Sequence, residues 1–313
     1  MLAAVAESQG GVFSRAQALD CGYTAQGIRD RISRGRWERV RYGQYAESLD
    51  ETHLAPWDRE LARYRRSVFA ALNAMRPGSV AISHQSALVL HGLPVWGMDL
   101  SKVHLTHLDE RRHGGGVAGV NYHRGRLASG DLTELDGRLV TAVPRAVVET
   151  ACTASFEAGV VIADAALRDH ATAEDGIRGL LRTIEFWPGS ATARAALDFA
   201  DGRSESVGES RMRVLIHDFG LPAPDLQVEY YDDDGFIGRV DFDFPGREAI
   251  AEFDGRIKYA GATADVFVAE KTRENRLRGI GLAVYRADWT DLDHPHRTAN
   301  RLGRILTSTR RRA

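Results

Sequence analysis

The stretch Gly238 to Tyr259, GRVDFDFPGREAIAEFDGRIKY, constrains this chain more than any other part of it. It reads as two short strands carrying Asp241, Glu252 and Asp254. Successive residues of a strand face opposite sides, so Val240 and Phe242 are expected on one face and Asp241 and Asp243 on the other. The run Ala249 to Phe253 is nearly all apolar and reads as a central strand, yet it contains Glu252. A carboxylate there is costly unless a cation or a proton offsets it. Acids delivered to one spot by adjacent strands suit Mg²⁺ (or Mn²⁺), which takes a few hard oxygen ligands and leaves room for water and a phosphate. The implied chemistry is phosphodiester hydrolysis. The plainer alternative is that Asp241 caps a turn and Asp254-Gly255 forms a hairpin turn, since Asp-Gly favours positive φ. The ordered set Glu209, Asp241, Glu252 and Asp254 points instead to a metal site, active or vestigial.

The flanking segments extend the pattern. SESVGESRMRVLIHDFGLP reads as a helix, with Val214, Leu215 and Phe219 at helical spacing and Gly220 and Pro222 at its end. Glu205 and Glu209, four apart, are expected on its polar face, Glu205 as a solvated residue or a helper. Leu226, Val228 and Tyr230 alternate as in a strand, and Asp232-Asp233-Asp234-Gly235 reads as a hairpin turn. The helix VFVAEKTRENRLRGIG follows, with Lys271, Arg273, Arg276 and Arg278, and Leu282 to Arg286 closes the domain as an apolar strand. The expected order is helix, hairpin, strand, helix, strand. The basic helix is either a solvated face or a phosphate clamp, and Arg273 and Arg276 are its candidate DNA contacts.

On these motifs, residues from about 204 to 292 resemble the restriction-endonuclease-like domain related to very-short-patch-repair endonucleases, within the PD-(D/E)XK superfamily. The matching residues are Glu209, GLPAPDLQ at 220–227, GRVDF at 238–242, EFDG at 252–255, and EKTRENRLRGIG followed by VYRADW. The resemblance implies a Mg²⁺-dependent nuclease core in which Asp241 and Glu252 bind the metal and Glu209 assists. The superfamily pattern also implies a lysine two residues after Glu252, where this chain has Asp254, as members of the subfamily often do. Lys258 or Lys271 is then the candidate source of positive charge. Without one of them the site would bind a cation and cut poorly or not at all.

The other end of the chain carries a second signal. Leu2 to Ser8 reads as a helix, with Val12 and Phe13 as an apolar link. Ser14 is placed to cap RAQALDCG, which Gly22 ends, and Thr24 to cap AQGIRDRISRG, with Ile28 and Ile32 on the buried side and Gly35 as the stop. WERVRYGQYAE alternates like a strand pair, with Trp37, Val40 and Tyr45 available to pack. Helix, helix, turn, helix, hairpin is the winged helix-turn-helix order. Between residues 24 and 44 six arginines stand against Asp30 and Glu38, a local excess of four positive charges. That is an electrostatic footprint for DNA phosphates, or a solvated face on a protein-binding module. Arg29, Arg31, Arg34, Arg36, Arg39 and Arg41 are the candidate contacts, and Gln26, Arg29, Asp30 and Ser33 face the side of the third helix that would read base edges.

Residues 5–46, GGVFSRAQALDCGYTAQGIRDRISRGRWERVRYGQY above all, resemble the N-terminal helix-turn-helix of AbiEi-type antitoxins of abortive-infection toxin–antitoxin systems. The likeness continues more weakly into SHQSALVLHGLP (83–94), VHLTHLDERR (103–112), GVNYHRGRL (119–127) and VTAVPRAVVETA (140–151). It implies binding to the protein's own promoter and neutralisation of a nucleotidyltransferase toxin.

Residues 55–200 read as an α/β connector. Helices are expected over Leu61–Met75, His84–Leu90, Ala146–Thr153 and Ala158–Leu167, and strands over Val103–Thr106, Val120–His123 and Leu139–Thr141. Its histidines, His84, His91, His104, His107, His113 and His123, lack tight ligand spacing and cysteine partners, so they are expected to be scattered structural or surface residues. Gly114-Gly115-Gly116 is expected as a flexible loop tip. At 313 residues the chain has room for two or three domains: a winged helix-turn-helix over 1–50, the connector over 51–200, with the helix at 190–200 as linker, and the nuclease-like domain over 201–313. The fold class is α/β (α+β), with a C-terminal mixed sheet flanked by helices. Only Cys21 and Cys152 occur, which fits a reducing cytoplasm, and neither a signal peptide nor an apolar run of about eighteen residues is present. The net charge of −2 hides a basic wing, a basic helix at 271–278 and the tail Arg310-Arg311-Arg312 against an acidic stretch at 229–254. Two functions are consistent with these features: a Mg²⁺-dependent endonuclease that docks on double-stranded DNA, and an antitoxin or autoregulator whose nuclease fold is catalytically degenerate.

Overall fold

The first helices start where their capping side chains lie. In the order α1 (Leu2–Glu7), β1 (Val12–Ser14), α2 (Arg15–Asp20), α3 (Ala25–Ser33) and the hairpin β2 (Trp37–Arg41) and β3 (Gln44–Glu47), Ser14 Oγ accepts the Gln17 N–H at 3.1 Å and Gln17 Oε1 accepts the Ser14 N–H at 2.7 Å. Thr24 Oγ1 accepts the Gly27 N–H at 3.0 Å. These caps satisfy N–H groups that a helix start leaves without an intrahelical partner. Phe13, Ala18, Ile28 and Trp37 form the core under α3, with the Phe13 and Trp37 rings 4.7 Å apart. Three helices and a β1-β3-β2 sheet make a winged helix-turn-helix. Gly10 lets it seat on the next helix: its φ is +67°, and a Cβ there would lie 2.0 Å from the Phe69 ring.

The computed structural model describes residues 1–48, 52–170, 173–255 and 264–308. Lys258 and the arginine tail at 310–312 lie outside them. The chain is mixed α/β and divides into two units, Met1–Ser155 with Thr172–Ala193, and Phe156–Ala171 with Arg194–Ala313. No helix among the described residues is long and apolar enough to cross a membrane.

In the first unit, α4 (Pro56–Asn73) begins earlier than its apolar pattern suggests, because a proline is tolerated in a helix's first turn. It is followed by β4 (Val80–Ile82), α5 (His84–Leu90), β5 (Val103–His107), β6 (Gly115–Val117), β7 (Val120–His123), β8 (Leu132–Leu135), β9 (Arg138–Thr141) and α6 (Val143–Ala151). The strands form one sheet in the order β6-β7-β5-β4-β9-β8. The strands with no counterpart in the sequence pattern, β4, β6 and β8, have three, three and four residues, too few to show a period of two clearly. The glycine run expected as a loop tip is partly strand, with Gly115 opposite Tyr122 and Gly116 opposite Asn121.

The second unit opens with α7 (Phe156–Asp169). Next come α8 (Ala173–Leu181) of the first unit and α9 (Ser190–Phe199), within which the boundary falls. It continues with α10 (Val207–Asp218), β10 (Asp225–Asp232), β11 (Gly235–Asp243), β12 (Ala249–Phe253), α11 (Ala264–Gly279), β13 (Ala283–Ala287), α12 (Trp289–Leu292) and α13 (Pro295–Ser308). The expected order of helix, hairpin, strand, helix, strand is present. The sheet runs β10-β11-β12-β13, with β12 and β13 parallel, so α11 serves as the crossover that a parallel pair needs. Phe242, Ala249, Ala251, Phe253 and Tyr285 pack with Met212 and Leu302, whereas Val240 and Ile250 pack with Leu277 of α11. Val240 and Phe242 therefore do not share one core cluster, as plain alternation would have them do. The interruption falls opposite Gln227, whose φ of +57° is left-handed.

Buried charge joins the helices of this unit. Arg213 donates from Nη1 to Asp164 Oδ2 at 2.7 Å and from Nη2 to the Phe199 carbonyl at 2.7 Å, while Asp164 Oδ1 accepts the Asp201 N–H at 2.7 Å. Asp164 is fully buried, and stripping one partner from a buried pair leaves the other charge uncompensated. Asp164→Ala is expected to lower the stability of this unit by about 3–5 kcal/mol, read as a shifted urea midpoint.

Candidate functional site

The expected carboxylates converge on the start of α10 and the edges of β11 and β12, each with partners of its own. Ser206 caps α10, so Glu205 precedes the helix instead of sharing its face with Glu209, and Glu205 pairs with Arg239 at 2.7 Å. Glu209 is buried. Its Oε1 accepts the Ser206 hydroxyl at 2.8 Å, and its Oε2 accepts the Glu205 N–H at 2.8 Å and the Gln227 amide at 3.0 Å. Phe242 pairs with Ala251 across β11 and β12, which sets Asp241 and Glu252 beside that pair on adjacent strands. Asp241 Oδ2 accepts the Phe253 N–H at 2.8 Å, and Oδ1 lies 3.5 Å from the Gln227 amide. Gln227 thus links two of the three proposed metal ligands through a left-handed backbone position, a role that nothing in the spacing of its motif signals.

Glu252 is 7 % exposed and meets two arginines. Arg273 of α11 reaches Oε1 at 2.7 Å and Oε2 at 2.9 Å, and Arg286 of β13 lies 3.2 Å from Oε2. Burial pushes the Glu252 carboxyl above the usual range; the two arginines oppose this and Asp241 adds to it. The hydrogen bond from Arg273, with Arg286 beside it, holds the partly exposed Glu270 down at about 2. Among the described residues, the cations in contact with Glu252 are therefore arginines. Lys271 is exposed on α11 and among the described residues pairs with no carboxylate. Asp254 does not form a hairpin turn: its N–H bonds the Ala287 carbonyl at 2.8 Å and its carboxylate lies 4.0 Å from Arg286. Arg276 is bound to Asp232 across the hairpin, Nε to Oδ2 at 2.8 Å.

A Mg²⁺ ion needs open carboxylate oxygens in one place. Both Glu209 oxygens are engaged, both Glu252 oxygens face guanidinium groups, and one Asp241 oxygen holds a backbone N–H. Among the described residues, Glu209, Asp241 and Glu252 do not form a group with all ligand atoms within 4.8 Å of one another. As arranged, these acids do not fit a Mg²⁺ site.

The N-terminal face separates its arginines into two sets. Gln26, Arg29, Ser33, Arg34, Arg36 and Arg39 are exposed on α3, the turn after it and β2. Arg29 donates to Gln26 Oε1 at 2.6 Å, and Gln26 Nε2 donates to Asp30 at 2.7 Å, so the three form a row along the helix. Arg31 instead lies over the Tyr23 and Trp37 rings at 5.0 and 5.2 Å. Arg41 turns away to donate to the Ala118 carbonyl at 2.6 Å. Glu38, one of the two acids set against the arginines, is bound by Arg66 of α4. Tyr42, 96 % exposed in the turn of the wing, is a further contact candidate, one that carries no charge to mark it in the sequence.

Three of the six histidines do not scatter. His84, His104 and His123 come together, and burial pushes His104 and His123 down to about 4 and His84 well below its ordinary value. Their convergence follows from strand register, which spacing along the chain does not reveal.

Residues 1–47 match the family model described as transcriptional regulator, AbiEi antitoxin. Two proteins of Mycobacterium tuberculosis are each 30% identical to this chain over 289 residues, covering 92% of this chain and 98% of the relative. They are Uncharacterized protein Rv2248 of strain H37Rv and Uncharacterized protein MT2308 of strain CDC 1551.

The arginine–carboxylate network carries its own pH signature. A carboxyl whose folded value is depressed contributes stability above its unfolded value, and that contribution is lost as pH falls through the folded one. The stability difference between wild type and Glu270→Gln is therefore expected to be full above about pH 4.5 and to shrink as pH falls toward 2. Paired urea titrations across that window measure it.

Proposed function

Because the chain belongs to the family of these two mycobacterial proteins and begins with an AbiEi antitoxin regulator domain, we propose that it is a transcriptional regulator that binds double-stranded DNA, with a nuclease-like C-terminal unit retained for purposes other than cutting. The observation that carries this reading is the exposed row Arg29, Arg34, Arg36 and Arg39 on α3 and the wing. In a winged helix the third helix enters the major groove. There Gln26 and Ser33 reach base edges while the four arginines neutralise phosphates. Tyr42 extends the wing along the backbone. Arg31 and Arg41 serve the frame, holding α3 against Trp37 and the wing against the connector. The toxin that such an antitoxin would neutralise is a nucleotidyltransferase.

A second reading, Mg²⁺-dependent cleavage by Asp241 and Glu252, is favoured by their positions on adjacent strands and by the raised Glu252 carboxyl. It requires a ligand set that the present arrangement occupies with Arg273, Arg286, Ser206 and Gln227. The two readings separate in one set of assays on the protein's own promoter DNA and on supercoiled plasmid with Mg²⁺ or Mn²⁺. The regulator reading expects the Arg34→Ala, Arg36→Ala, Arg39→Ala triple variant to bind on the order of 100-fold more weakly, with the salt slope reduced by about 2.7. It also expects no metal-dependent cutting. Unchanged binding by the triple variant would overturn it, and cutting that disappears in both Asp241→Ala and Glu252→Ala would establish the nuclease.

A further inference from the structure

Three histidines of the first unit meet at one point on the six-stranded sheet. His84 begins α5 directly after β4, His104 lies in β5 and His123 ends β7. In the parallel β5–β7 register Thr106 stands opposite His123, and alternation then places His104, Thr106 and His123 on one face. His104 Nδ1 lies 2.9 Å from His123 Nε2, the His84 ring stacks on His123 with centroids 3.7 Å apart, and one nitrogen from each ring falls within 4.8 Å of the other two. His84 and His104 are each 7 % exposed.

We propose that His84, His104 and His123 form a binding site for a zinc-class divalent metal ion. Three imidazole nitrogens and no oxygen ligand suit Zn²⁺ and its transition-metal neighbours, not Mg²⁺ or Ca²⁺. In a tetrahedral site with bonds of about 2.0–2.1 Å, ligand nitrogens stand roughly 3.3 Å apart. His104 and His123 stand 2.9 Å apart as a hydrogen-bonded pair, and the third ring offers a nitrogen within 4.8 Å of both. Metal binding replaces the proton held between the pair and draws the three nitrogens to a common centre. Three protein ligands leave a fourth position for water or an incoming group.

The surroundings are those of a positioned ligand set. The Gln85 amide lies 2.8 Å from His104 Nε2. With Nδ1 on a metal, the Nε2–H needs an acceptor, which Gln85 Oε1, buried and without a hydrogen-bond partner, supplies once the amide is turned over. Ser83 Oγ lies 3.1 Å and Glu149 Oε2 3.6 Å from His84 Nδ1. Glu149 is buried and fixed by Arg145 Nε at 2.7 Å, and Arg145 also faces Asp131 at 3.3 Å. His84 has a left-handed φ of 52°. That conformation is unfavourable for a residue with a side chain and persists where its surroundings hold it.

This site is independent of the DNA-binding reading and of the C-terminal carboxylates. The untagged full-length chain, stripped with a chelator, would be titrated with Zn²⁺ by calorimetry and with Co²⁺ by visible absorption. X-ray absorption of the zinc-loaded protein would count imidazole ligands. Expected are stoichiometric binding, intense tetrahedral Co²⁺ bands, three imidazoles in the metal shell, and affinity weakened by more than about 100-fold in His123→Asn. Asp241→Ala and His113→Ala should bind as wild type does. Absence of stoichiometric binding, or affinity unchanged in a folded His123→Asn, would overturn the proposal. Should that variant fail to fold, the imidazole count on the wild type decides.

Discussion

A carboxylate inside a buried strand sets the terms for the C-terminal unit. Glu252 lies in β12, where all five residues are buried, and an ionised acid there must be offset by charge and hydrogen bonds. The compensation comes from both elements that follow it: Arg273 from the crossover helix and Arg286 from the parallel strand. The two guanidinium groups are fixed in turn by Glu270. Parallel pairing of β12 with β13 requires a crossover, and that crossover also carries the cation. Topology and electrostatics thus have one solution between them. This is why the acid persists in an apolar strand even where its oxygens are not open to a metal.

The N-terminal domain uses one residue type in two ways. Arg31 stacks on the aromatic core and Arg41 bonds a carbonyl of the connector, whereas Arg34, Arg36 and Arg39 face solvent. The first set gives α3 and the wing a fixed relation, and the second set gives that fixed surface its charge. A rigid basic face is what phosphate positioning needs, since orientation along a duplex comes from backbone contacts and selectivity from the few side chains reaching the bases. The Arg66 bond to Glu38 supports the same face by occupying one of its two acids.

The connector is more than a spacer. Its interior contains a polar cluster in which His84, His104, His123, Gln85, Ser83, Glu149 and Arg145 bond or face one another. Most of these polar groups are hydrogen-bonded within the cluster, as burial requires, while Gln85 Oε1 is buried without a partner. Short strands brought into register by packing hold the cluster together, with α5 laid over the sheet.

Much of this was legible in the residues themselves. Ser14 and Thr24 announced their helices because a hydroxyl at that position can accept an orphan N–H. Asp233-Asp234 before Gly235 announced a hairpin, the apolar run 249–253 a central strand, and the six arginines a basic face. Local chemistry suffices for such features, since each depends on neighbours a few positions away. Only the tertiary structure decided which cation meets Glu252, because Arg273 and Arg286 are brought to it by a helix crossover and a strand register. It also decided that Glu209 binds Ser206 and Gln227, that Val240 and Phe242 part company, and that three histidines spread from 84 to 123 converge. Contacts of that kind are fixed by packing between elements, and the order of residues along the chain does not contain the distances between them.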